Sequence, residues 1–157
     1  MSLLETLGAI LVGLIILAGA ALGLNSAFSS SKLGETEQNL ITLRMQVQHM
    51  FSGSNDFSGL DNDLALSAGL VPKPFVKGTD LRNPFGGTIT LAAVSGTSAF
   101  SISLTQIPQD ECSKLAKFQT DAWLAVDING SDATGGDVSE IVTACSGSSN
   151  TITFTAR

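Results

Sequence analysis

The chain carries few side chains suited to covalent chemistry, and one carboxylate placed where electrostatics acts most strongly. Glu5 is followed by residues 6–31, a stretch without a charged side chain. The core of that stretch, Leu7–Leu24 (LGAILVGLIILAGAALGL), is 18 residues of Leu, Ile, Val, Ala and Gly. A helix of that length rises about 27 Å, enough to cross the hydrocarbon core of a bilayer. A carboxylate on it costs about 2.5–3.5 kcal/mol at mid-membrane depth and less toward the interface. Inside an apolar bundle, low dielectric strengthens attraction to a counter-ion and makes mispairing expensive. The nearest candidate is a free N-terminal amine supplied by another copy of the chain. The plainer reading leaves Glu5 in the headgroup layer at the end of an anchor. Gly19 and Gly23, spaced by four, allow close approach of a second helix, although glycine is also common in membrane helices.

The other reactive groups are sparse. Cys112 and Cys145 lack the Cys-x-x-Cys or Cys/His regularity of a zinc site. In a Ser/Thr-rich body tethered at a membrane they read as a disulfide of an oxidising compartment, with two buried thiols as the alternative. Closing a loop of about 34 residues would contribute roughly 3.8 kcal/mol by chain entropy. The single histidine, His49, lies on a helical pattern beside Met50 and Phe51, where packing or plain exposure explains it better than a catalytic role. Aspartates are scattered through Asn/Gly turns, which they favour for local hydrogen bonding. No EF-hand spacing, phosphate-binding loop or paired-acid motif occurs. Gly135–Asp137 is a poor calcium loop, and Asn129-Gly130-Ser131 is a glycosylation triplet of the kind that arises by chance. The residues therefore give no catalytic group, no metal ligand set and no cofactor.

Composition narrows the partners. Eight Lys and Arg stand against 14 Asp and Glu, giving net charge -6, and the bases never cluster. Nucleic-acid binding through a basic patch is excluded on that ground. The leading segment is unlike a removable signal peptide: no base precedes it, its apolar run is too long, and Glu5 occupies the place of positive charge. Either Met1 initiates a single-pass anchor, or it is the first residue of a mature chain whose short basic leader has been removed. The absence of a base to hold the N-terminus inside favours the second.

Three segments follow: residues 1–24, an apolar half-helix for the membrane or a filament core; 25–52, an amphipathic half-helix; and 53–157, a globular body. No proline lies between residues 2 and 51, and Leu33, Leu40, Leu43, Val47, Met50 and Phe51 recur at helical spacing. One helix of about 50 residues, or two nearly continuous ones, is expected. Gly53 ends it. A short helix is expected over Asp61–Ala68, a turn at Asn83-Pro84-Phe85-Gly86-Gly87, and a hairpin of Thr88–Val94 with Ala99–Thr105. A helix at Gln109–Phe118, a strand at Trp123–Ile128, a helix at Val138–Ala144 and a last strand at Thr151–Thr155 complete the body. The fold class is α+β: a mostly antiparallel sheet on the long helix, with small helices at its rim.

Met1-Ser2-Leu3-Leu4-Glu5, leading an apolar segment that opens a very long helix, resembles the mature N-terminus of type IV pilins. Met1 in place of Phe, a chain of 157 residues and the late Cys112 and Cys145 are similar to the type IVb branch. Phe57-Ser58-Gly59-Leu60, Asn83–Gly87 and the Thr151–Phe154 strand are similar to bundle-forming and conjugative thin-pilus major pilins of Gram-negative bacteria. The resemblance implies a non-enzymatic subunit that polymerises into a surface filament for adhesion, conjugation or aggregation. It implies that prepilin peptidase exposes Met1 for N-methylation, and that Glu5 pairs with a neighbour's N-terminal amine during assembly. It also implies that the Cys112–Cys145 disulfide bounds an outward-facing region. The partners implied are other copies of the chain, the pilus assembly platform, the peptidase and the inner membrane before assembly. The helix-breaking proline found near position 22 in many pilins is replaced by Leu22, so unwinding of the spine would use Gly19 and Gly23. The rival expectations are a minor pilin or pseudopilin of a secretion or DNA-transfer machine, and a single-pass, membrane-anchored periplasmic binding domain.

Overall fold

The computed structural model describes the backbone of residues 2–157 and the side chains of residues 2–12 and 29–157. Met1 and the packing of Gly19 and Gly23 lie outside the described residues. The chain divides into two compact units, Met1–Lys32 and Leu33–Arg157. Helical backbone runs over Leu3–Met50 (α1). Among the described residues, no helix is long and apolar enough to cross a membrane. Most of Leu7–Leu24 falls outside the residues whose side chains are described.

The second unit is built on alternation. A five-stranded antiparallel sheet takes the order β3-β4-β7-β5-β6, with β3 at Ile89–Val94, β4 at Ala99–Ile107, β5 at Ala125–Ile128, β6 at Ser131–Asp132 and β7 at Asn150–Ala156. A separate two-residue pair, β1 (Val76–Lys77) with β2 (Asp80–Leu81), lies in the connecting region. Along β7 the residues Asn150, Ile152, Phe154 and Ala156 are buried while Thr151, Thr153 and Thr155 are partly open. The buried set meets Phe100, Ile102 and Leu104 of β4, also fully buried, in register Phe100↔Ala156 through Leu104↔Ile152. Period-two alternation puts these side chains on one face. Leu40, Leu43 and Val47 of α1, recurring at helical spacing and fully buried, join the same core. Each contributes about 1.5–3 kcal/mol by leaving water.

Two strands differ from the sequence expectation by two residues, and a third takes a place that expectation left open. The hairpin's second strand runs two residues further, past Gln106, which sits at φ 56 where the β4–β7 register shifts between Leu104 and Ile107. The bulge lets Ile107 reach the core despite the shift. Trp123 is not in a strand: Thr120–Ala122 is a 3₁₀ turn, and β5 begins at Ala125. Its ring instead packs on Phe154 at 4.8 Å between centroids. The C-terminal strand lies in the middle of the sheet, between β4 and β5.

Two asparagines finish edges that the ladder leaves open. In α2 (Asn62–Ser67), Asn62 donates from Nδ2 to Ile89 O at 2.9 Å and accepts Leu91 N–H at 2.8 Å. One side chain thus occupies two outward groups of edge strand β3 and blunts its pairing potential. Buried Asn83 accepts from Phe85 N–H (2.9 Å) and Gly87 N–H (3.2 Å) and donates to Thr105 O (2.8 Å). That turn draws Gly87 so close to β4 that a Cβ there would meet Thr105 O at 1.9 Å. Backbone crowding of this kind cannot relax by a rotamer change. Gly87→Ala should therefore destabilise the body by about 1–3 kcal/mol or more in denaturant unfolding. Gly96→Ala, at φ +74 with open space around it, should cost about 1 kcal/mol. Equal losses at the two sites would refute the close-approach account.

Candidate assembly surface

The first turn of α1 is organised by Ser2. Its Oγ accepts Glu5 N–H at 3.4 Å, and its carbonyl accepts both the N–H and the hydroxyl of Thr6 at 3.3 Å. Glu5 thus stands at the positive end of the helix dipole, where an acid is favoured. Among the described residues no cation lies within ion-pair distance of its carboxylate.

Around Glu5 the helix is apolar and uncovered. Leu3 is 80% exposed, Leu4 83%, Leu7 57%, Ile10 55%, Leu11 62% and Val12 57%. At 100° per residue Leu3, Leu4, Leu7, Ile10 and Leu11 share an arc of about 120°, with Val12 on its flank and Ser2, Glu5 and Thr6 on the remaining side. Such a face needs apolar surroundings along its length, from lipid or from other helices. This is the largest unmet demand among the described residues. Nothing in it performs bond chemistry.

The disulfide-bounded region is the opposite case, a surface held rigid from within. Cys112 in α3 (Gln109–Lys117) and Cys145, the C-cap of α4 (Val138–Ala144), form a disulfide, with both residues fully buried. Beside it two amides lock together. Asn129, at φ 52, donates to Ala144 O (3.0 Å) and Asn150 Oδ1 (2.9 Å) and accepts Thr151 N–H (2.9 Å). Asn150 in turn donates to Ile107 O (3.1 Å) and Gly147 O (2.8 Å). The node joins the ends of β4, β5 and α4 to the start of β7. With both amide hydrogens of Asn129 engaged, the Asn129-Gly130-Ser131 triplet has a structural use.

Polar residues line an open groove of about 640 Å³ here, including Ser131, Asp132, Ser139, Glu140 and Thr143. The Thr134 hydroxyl and backbone N–H donate to Asp132, in that order of effect, and hold its carboxyl below the usual carboxylate range. This fits a turn-closing acid. Asp137, the N-cap of α4, accepts the Ser139 hydroxyl at 2.9 Å, and among the described residues no cluster of three or more His, Cys, Asp or Glu could hold a metal. His49 is exposed in the last turn of α1. The residues that sequence reasoning missed are Asn62, the Asn129–Asn150 pair and Arg44. The two Asn devices bridge positions more than 20 residues apart, and Asn in a turn-rich stretch reads as local punctuation.

A family model described as PilS N terminal matches residues 30–157. The major structural subunits of bundle-forming pilus from Escherichia coli O127:H6 (strain E2348/69 / EPEC) and Escherichia coli O111:H- are each 24% identical over 120 residues, 74% of this chain. The match spans 62% of those relatives' own length. The crystal structure of TcpA, a type IV pilin from Vibrio cholerae El Tor biotype, superposes with a TM-score of 0.55 at 19% identity, over 81% of this chain and 99% of that one. The α+β fold is that of a type IV pilin.

Reducing the disulfide, or replacing both cysteines by serine, should lower the body's unfolding free energy by up to about 3.8 kcal/mol. Paired urea titrations with and without reductant measure it. An unchanged midpoint would mean that packing and the Asn129–Asn150 node hold this region without the covalent link.

Proposed function

The chain belongs to the PilS family, and on that premise we propose that it is a structural subunit that polymerises into a type IV pilus on a Gram-negative bacterial surface. The observation that carries this reading is the uncovered apolar turn system from Leu3 to Val12 with an acid at its head. Left in water, each of those side chains forfeits about 1.5–3 kcal/mol relative to full burial. Packing the same segment of many copies side by side removes that loss. The bundle-forming relatives, major structural subunits of a pilus, support the reading.

Before assembly, Leu7–Leu24 spans the inner membrane as a single anchor. Prepilin peptidase removes a short basic leader, and Met1 becomes the new N-terminus and the site of N-methylation. The assembly platform then moves the subunit from lipid into the fibre. There the amine of one copy pairs with Glu5 of its neighbour, because a lone carboxylate in that core is strongly disfavoured. Gly19 and Gly23 admit close helix approach. The region bounded by Cys112 and Cys145 faces outward, where adhesion, conjugation or aggregation would act.

Glu5→Ala should abolish filaments in the sheared surface fraction while leaving the membrane pool of subunit intact; Glu5→Asp should retain part of the yield. Normal filament yield from Glu5→Ala, imaged by electron microscopy, would reject the guiding role of the carboxylate. A chain that stays confined to the membrane fraction in its unmodified form would favour a minor component over a major one. In mass spectra of the native chain, a methyl group of about 14 Da on Met1 is expected.

A further inference from the structure

Glu37 and Arg44 stand seven residues apart on α1, two helical turns and about 10.5 Å of rise. Both are half-buried on the same side of the helix, along the margin of the stripe formed by Leu40, Leu43 and Val47. Neither is in an ion pair with another described residue. At 10.5 Å of axial separation they cannot satisfy each other within one chain.

Arg44 is held in place but not neutralised. Its guanidinium lies 4.7 Å from the centroid of the Trp123 ring, and Nη1 donates to Ala122 O at 3.1 Å. Its Nε is buried with no acceptor, as is Trp123 Nε1. A guanidinium offers five donors in a fixed fork suited to a carboxylate, and here one neutral carbonyl answers it. Glu37 has the complementary deficit: burial pushes its carboxyl above the ordinary range, with no cation to oppose that effect.

We propose that Glu37 of one copy pairs with Arg44 of the next, fixing parallel copies two helical turns out of register. This rests on the filament reading above. Two parallel copies in register would set Glu37 beside Glu37 and Arg44 beside Arg44, which is repulsive at both positions. A shift of seven residues removes both repulsions, makes one attraction and leaves each copy with one group still to offer. The contact joins unlike patches of identical chains, so it propagates along an open helical assembly instead of closing on itself. Charge placement thereby selects the stagger as well as the contact.

The test uses chains bearing E37C alone and R44C alone, each co-expressed with an excess of unmodified chain so that filaments form. The native cysteines are paired and fully buried, so a short bis-maleimide reads only the introduced thiols. Sheared filaments holding both variants should give a cross-linked dimer, and filaments holding either one alone should give none. Charge reversal supplies the second arm: E37R and R44E should each cut filament yield about tenfold, the effect of roughly 1.4 kcal/mol, and E37R/R44E should restore it. Intact filaments with no mixed dimer, or a double reversal no better than either single, overturn the proposal while sparing the subunit reading. A mixed dimer from R44C with E35C instead of E37C overturns it too. If the unmodified chain forms no filaments, the subunit reading itself fails, and this one with it.

Discussion

The structure depends on apolar surface that α1 exposes and the first unit by itself leaves uncovered. From Leu3 to Val12 the helix presents a broad face of large hydrophobic side chains with no cover, so that face requires a non-aqueous surround. A soluble domain would answer that demand with a core. Here the body spends its own apolar residues on a separate core, where the later turns of α1 contribute Leu40, Leu43 and Val47. One helix therefore carries two kinds of burial, one satisfied inside the chain and one awaiting an environment. Glu5 stands at the head of the second kind, and a carboxylate taken out of water is costly without a cation beside it.

The body is stabilised by devices that act at its seams. The ladder of β4, β7 and β5 supplies cooperative backbone pairing, yet the free edge of β3 and the ends of β4 and β5 need separate treatment. Asparagine supplies it three times, because one planar amide can donate and accept toward backbone groups at once. Asn62 blunts an edge, Asn83 closes the turn before β3, and Asn129 with Asn150 ties the end of α4 to the central strand. The disulfide lies against the last of these. The region carrying the groove is thus held by covalent and hydrogen-bonded ties, which leaves its exposed side chains free to vary without loosening the frame.

Arg44 illustrates a cation tolerated on the margin of a core by stacking and one carbonyl bond. A guanidinium is weakly hydrated and flat, so the indole of Trp123 covers it at small cost. That arrangement leaves charge unspent at the surface of the second unit, two turns from an acid in the same condition.

Much of the body was legible in the residues. Alternation in Ile89–Val94 and Ala99–Thr105, the prolines and glycines that punctuate them, and the acidic first turn of Gln109–Lys117 are all local signals, and local signals survive folding. With only two cysteines a single pairing exists, so the disulfide needed no topology to be expected. The exposed acid beside an apolar run was equally open to reading, because charge and hydropathy are properties of the residues themselves. Three things waited for the tertiary structure: the seat of β7 between β4 and β5, the removal of Trp123 from the strand, and the work of the asparagines. Each brings together positions separated by tens of residues, and no propensity or period encodes such a distance. The sequence by itself determined which surfaces must be hidden from water. Only the folded chain decided which of them it hides with its own residues, because that depends on which strands and helices meet.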